Sequence, residues 1–94
     1  MKIIWLPEAE KDLGLITEFI SKESVVSAEI VVSKIVLYVR KLANSPGIGR
    51  PGRIRGTREF ILDDIPYIVP YLVKNSEIMI LRVFHQSRKW PDKL

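Results

Sequence analysis

The hydrophobic pattern of this chain changes period once, and the change falls on a stretch rich in glycine, proline and arginine. Before residue 44 apolar side chains recur every three or four positions; after residue 58 they alternate in twos. A helical period followed by a strand period confines the chain to an α+β arrangement, with helices laid on one face of a sheet.

The short run Lys2-Ile3-Ile4-Trp5 is apolar and β-prone, so it reads as a first strand. Pro7 suits the first turn of a helix, and Glu8, Glu10 and Asp12 suit the positive end of its dipole. Ala9, Leu13, Ile16 and Ile20 form a buried stripe that Leu15 and Phe19 widen, which predicts a helix over 7–22; Gly14 weakens it. Glu8, Glu10, Asp12 and Glu18 read as its solvated face. After a polar break at 21–24, the stripe Ala28, Val31, Val32, Ile35, Val39 and Leu42 predicts a second helix ending near Asn44, despite its many β-branched residues. The two form an αα-hairpin.

Residues 44–58 hold four of the five glycines and two of the six prolines, so they read as a loop. Strands follow at 58–62, 67–73 and 77–85, with Asp63-Asp64 turning the first corner and Lys74-Asn75-Ser76 the second. Pro70 interrupts the middle strand and demands an edge or a bulge there. Gln86 onward reads as an irregular tail. The predicted order is β-α-α-β-β-β: a helical hairpin packed on a mainly antiparallel sheet, in a single domain spanning 1–94.

Ninety-four residues suit one domain, and 47% hydrophobic content supplies its core. The absence of cysteine excludes a disulfide framework, a thiol nucleophile and a thiolate zinc site, and a single histidine disfavours a metal centre, so no cofactor is expected. No stretch matches a bilayer span or a secretory signal, which predicts a cytoplasmic protein with no membrane partner. The net charge of +4 is unevenly spread. Residues 1–49 carry six basic and six acidic groups, whereas residues 50–94 carry nine and five, so the second half holds the whole excess. A localised positive surface suits phosphates or an acidic partner.

Two basic groups stand out. Arg50, Arg53, Arg55 and Arg58 lie among glycines, and a planar guanidinium matches phosphate or carboxylate oxygens. The same loop read blandly is a solvated connection, and it lacks the Gly-Lys-Ser/Thr of a nucleotide-binding loop. The second group is Arg82, His85, Arg88, Lys89 and Trp90. Period two from Glu77 puts Ile78, Ile80, Arg82 and Phe84 on one face and Met79, Leu81, Val83 and His85 on the other. His85 is the sole side chain that titrates near neutrality and hence the one natural acid–base candidate, although a lone strand-end histidine is commonly structural. Trp90, Tyr67 and Tyr71 read first as packing residues.

The segments Trp5-Leu6-Pro7-Glu8-Ala9 with Asp12-Leu13, Pro46 with Gly49-Arg50-Pro51-Gly52, Gly56-Thr57-Arg58-Glu59, Pro66-Tyr67 with Tyr71, and Ile80-Leu81-Arg82-Val83-Phe84-His85 through Arg88, Trp90 and Pro91 span nearly the whole chain. In that order and spacing they resemble the RelE/ParE superfamily of bacterial type II toxin–antitoxin modules, whose β-α-α-β-β-β order is the one predicted above. The resemblance implies a toxin neutralised by a cognate antitoxin in a hetero-oligomer. One branch cleaves mRNA on the ribosome; the other, ParE-like, poisons DNA gyrase. Cleavage needs a proton acceptor and donor with cations for the phosphorane, which would assign His85 to proton transfer and Arg58, Arg82 and Arg88 to phosphate.

The cleaving branch often carries an arginine within its version of Tyr67-Ile68-Val69-Pro70-Tyr71, which is uncharged here, and Asp63-Asp64 would repel phosphate. The Gly-Thr-Arg-Glu and Leu-Arg-Val-x-His segments are similar to the ParE-like branch. That branch implies a gyrase-binding surface built from Arg53, Arg55, Arg58, Arg82, Arg88 and Trp90. The ribosome-dependent nuclease is the second reading, and a non-toxic nucleic-acid-binding module the third. Many relatives carry a capping serine where this chain has Leu6, a loss of about 1 kcal/mol of stability.

Overall fold

A computed structural model describes all 94 residues. Strand β1 (Lys2–Trp5) leads into α1 (Pro7–Ser21) and α2 (Val25–Arg40), which a 3-10 turn (Lys41–Ala43) prolongs. The strands β2 (Arg50–Pro51), β3 (Arg58–Ile61), β4 (Tyr67–Lys74), β5 (Glu77–Ile80) and β6 (Phe84–His85) follow. The helical hairpin on a largely antiparallel sheet is the expected α+β architecture. The difference lies in two added two-residue strands: β2 inside the expected loop, and β6 split from the expected last strand.

Pro7 opens α1, and Leu6 serves as its N-cap without any side-chain hydrogen bond. The Leu6 carbonyl still accepts from the N–H groups of Ala9 and Glu10, so the backbone alone starts the helix. At α2 the Ser24 hydroxyl accepts from the Ser27 N–H at 3.1 Å, a conventional N-cap. Ala9, Ile35, Val39 and Leu42 from the hairpin meet Val69, Tyr71, Ile78 and Ile80 from the sheet in one buried cluster. The α2 stripe falls where its period puts it. Leu15 and Phe19 depart from expectation: they are 54% and 73% exposed and lie outside the core. Asp12 departs in the opposite sense, being 4% exposed.

The sheet order is β1-β5-β4-β3-β2, with β1 parallel to β5 and every other pair antiparallel. The β4–β5 hairpin turns on Asn75 and Ser76, both at positive φ. The pairing Lys74↔Glu77 leaves a two-residue loop. Asp64, in the turn between β3 and β4, accepts from the Lys34 ammonium at 2.7 Å and from the Tyr38 hydroxyl. These bonds hold its carboxyl below the ordinary aspartate range, the lysine contact first. One of the two acids of that turn is therefore spent on tying α2 to the sheet.

Pro70 sits in the middle of the sheet, between β3 and the β5–β6 line. Its carbonyl accepts from Leu81 N–H at 3.0 Å, so its nitrogen, which cannot donate, also faces that line. There the register jumps. Tyr71 pairs with Ile80 and Ile68 with Phe84, so two residues of β4 oppose three, Leu81, Arg82 and Val83. This is a β-bulge, and it sits where the proline leaves the ladder one donor short. The extra residue also inverts the alternation. Ile78, Ile80 and Val83 all enter the core, with His85 on the same side opposite Tyr67, whereas strict period two sets Phe84 with Ile78 and Ile80 and puts Val83 and His85 on the other face.

Candidate target-binding face

Along β4, Tyr67, Val69 and Tyr71 face the helices, so Ile68 and Pro70 face away. Their cross-strand partners Phe84 and Glu59 share that outer face. Arg53 from the first basic group and Arg88 with Trp90 from the second reach it from opposite ends of the second half of the chain.

The Gly-Arg loop is organised by Glu59, which is 2% exposed. Arg50 donates to its Oε1 through Nε at 3.1 Å and Nη2 at 2.8 Å. The Arg53 backbone N–H and Nε donate to Oε2 at 2.8 and 3.3 Å. Burial alone would raise the pKa of this carboxyl, but the Arg53 N–H and the two guanidinium groups outweigh it and hold the value below the ordinary glutamate range. Gly49, just before the loop, has a structural reason to lack a side chain. A Cβ there would stand 2.6 Å from the Tyr71 ring and hydroxyl, and that hydroxyl accepts from the Gly49 N–H at 2.9 Å while donating to the Pro46 carbonyl at 2.7 Å.

At the far end the bulge frees the Val83 N–H, and Asp12 Oδ2 accepts it at 2.9 Å. The same carboxylate takes Arg82 in a fork, Nε to Oδ2 at 2.8 Å and Nη2 to Oδ1 at 3.0 Å. The Asp12 contact raises the arginine pKa still further. Beyond β6 the chain turns back. His85 Nδ1 accepts from the Ser87 N–H at 3.1 Å, which places any neutral ring's proton on Nε2, and the ring lies edge-on to Tyr67 with centroids 5.4 Å apart. Trp90 then returns over the outer face, its ring centroid 4.9 Å from that of Phe84.

The sequence-predicted residues divide accordingly. Arg53 and Trp90 are in direct contact, the guanidinium carbon 3.5 Å above the ring centroid, and Arg88 stands 4.7 Å over Phe84. Loop and tail thus form one cation–aromatic array on the outer face. Arg55 is exposed at the loop tip. Arg82 also lies 4.7 Å from the Phe84 centroid, but its donors are committed to Asp12. Arg58 belongs to the other face. It pairs across from Tyr71 and donates to the Gly49 carbonyl at 2.8 Å.

Of the four residues that a nuclease would need, Arg82, His85 and Arg88 gather around β6 and Arg58 stands apart. Arg58 aligns with Tyr71 and His85 with Tyr67, on opposite sides of β4. Four residues of strand separate them by roughly 13 Å, and two strand spacings add about 10 Å across the sheet. The residues that pattern reading passed over are Glu59, Phe84 and Asp12. Asp12 did carry a signal, since it falls three after Ala9 and four before Ile16, on the buried stripe. On the helix side an open groove of about 400 Å³ runs between α1 and β6, with Leu15, Ile16 and Phe19 on one wall and Tyr67, His85 and Arg88 on the other.

Residues 3–90 match the family model of the ParE toxin of the type II toxin-antitoxin system parDE. The chain is 42% identical over 93 residues to Y4kP of Sinorhizobium fredii, which is named as a candidate toxin, covering 99% of this chain and 96% of that one. It superposes on the chromosomal ParDE toxin–antitoxin system of P. aeruginosa with a TM-score of 0.82 at 32% identity, over 90% of this chain and 95% of that one. No helix of this chain is long and apolar enough to cross a membrane. With β-α-α order, sheet topology and sequence in agreement, the chain belongs to the ParE toxin family of type II toxin–antitoxin systems.

Proposed function

We propose that this toxin inhibits growth by binding DNA gyrase through its outer face, with no bond chemistry of its own, and that a cognate antitoxin holds it inactive in the cytoplasm. The observation that carries this reading is the array of Arg53, Trp90 and Arg88 laid over the buried Phe84 ring, which presents exposed cations beside a half-buried indole on one surface. Arginine and tryptophan are the side chains that most often dominate protein–protein affinity. Arg55 extends the same surface at the loop tip.

The separation of Arg58 from His85 and the commitment of Arg82 to Asp12 argue against cleavage. Phosphorane stabilisation needs donors aimed at one oxygen, and these donors already have partners. The antitoxin contact fits the helix side better, where exposed Leu15 and Phe19 offer apolar anchors beside Arg88. An acidic amphipathic segment that folds on binding matches that surface.

The test is plasmid supercoiling by purified gyrase in the presence of the toxin. Loss of supercoiling is expected; unaffected supercoiling would sink the reading. His85→Ala is predicted to leave growth inhibition unchanged. Codon-phased cuts in translated mRNA, abolished by that substitution, would establish the nuclease in its place.

A further inference from the structure

Residues 89–94 make no backbone hydrogen bond, and the last one before them runs from the Arg88 N–H to the His85 carbonyl at 3.0 Å. What ties this tail to the sheet is Trp90, lodged between the Phe84 ring and the Arg53 guanidinium. Arg53 is in turn fixed from below, because its backbone N–H and its Nε both donate to the same oxygen of Glu59. Glu59 is buried in β3, and Arg50 saturates its other oxygen. Three side chains in sequence, Glu59, Arg53 and Trp90, therefore join β3 to an otherwise untethered tail.

We propose that Glu59 is the positioning residue of the target-binding face: it orients Arg53, Arg53 clamps Trp90, and the loop at 50–57 and the tail at 86–94 thereby act as one preorganised surface. The functional half of this inference rests on the gyrase reading above; the structural half does not. The chemistry is specific to a carboxylate and an arginine. A guanidinium can lay its plane on an indole while its edge donates to a carboxylate, which an ammonium cannot do. Without Glu59 the arginines of the loop lose their buried anchor, and ordering of loop and tail has to be supplied at the moment of binding.

The experiment uses Trp5→Phe protein, in which Trp90 is the one tryptophan, and adds Glu59→Gln or Arg53→Lys. Both variants are expected to shift Trp90 emission to the red and to increase its quenching by acrylamide, with far-ultraviolet circular dichroism unchanged. Inhibition of supercoiling should weaken about tenfold, as expected when one cation–aromatic pair is removed from a preorganised surface. Unchanged emission and quenching in folded protein would overturn the relay. Arg53→Lys replaces a half-exposed side chain, so it decides the matter even if Glu59→Gln does not fold. A red shift with undiminished inhibition upholds the relay and overturns the role of this face in meeting gyrase. If the parent protein does not inhibit gyrase at all, the gyrase reading fails, and the fluorescence still judges the relay.

Discussion

Two carboxylates carry obligations out of proportion to their number. Asp12 is buried and satisfies three donors from the far end of the chain, so removing it strands the Arg82 cation and the Val83 N–H together. Breaking a buried pair from one side costs about 3 to 5 kcal/mol. Asp12→Ala is predicted to lower unfolding free energy by that amount in urea titration, and a change under about 1 kcal/mol would show that the pair is dispensable. Glu59 adds a pH dependence. Its folded pKa lies below the ordinary glutamate value of about 4.3, so its contribution is complete above that value and is lost as pH falls through the depressed folded one. Between those limits the urea midpoint of the parent protein should fall more steeply than that of Glu59→Gln; parallel slopes would contradict the assignment. At this scale the sequence was least legible. Arg82 looked like a free cation because its partner lies 70 residues away, and nothing local in Leu81-Arg82-Val83 announces the partner.

At the scale of elements, the helices were legible because a 3.6-residue period survives any detail of packing. Leu15 and Phe19 were misjudged because a stripe's width depends on the angle at which the helix meets the sheet, which the period does not contain. The bulge was half legible. Pro70 required a break in the ladder, but the break fell on the opposing chain, and one extra residue there reversed every later side-chain direction. Gly14 offers a clean test of helix propensity. It is exposed within α1, and a Cβ at that position would meet nothing within 4 Å. Gly14→Ala is predicted to stabilise the protein by about 0.5 to 1 kcal/mol, raising Tm by several degrees. A lowered Tm would mean that the position makes a contact the fold does not show.

For the whole molecule, the nine cations of residues 50–94 count for less than their number, because several are already engaged. Glu59 absorbs parts of Arg50 and Arg53, Asp12 absorbs Arg82, and the Gly49 carbonyl holds Arg58. Steering toward a target then falls to Arg55, Arg88, Lys89 and the exposed faces of the clamped arginines. If gyrase is the target, as proposed above, association should accordingly slow as salt rises, with dissociation little changed, when followed by stopped-flow or surface binding. Salt-independent association would mean that the apolar groove, not the basic face, makes first contact.

The parallel pairing of β1 with β5 has a further consequence for how the protein is made. Lys2 meets Glu77, and Trp5 meets Ile80, so the first strand has no strand partner until residues 77–80 have been made. The Asp12 fork closes later still, on Arg82 and Val83. Contacts between such distant residues form slowly and cannot form early. Synthesis that halts before residue 77 leaves β1 unpaired, and no fragment of that length can display the face built by Phe84, Arg88 and Trp90. On the proposed reading of that face, the chain becomes able to meet its target only after residue 90 has been made.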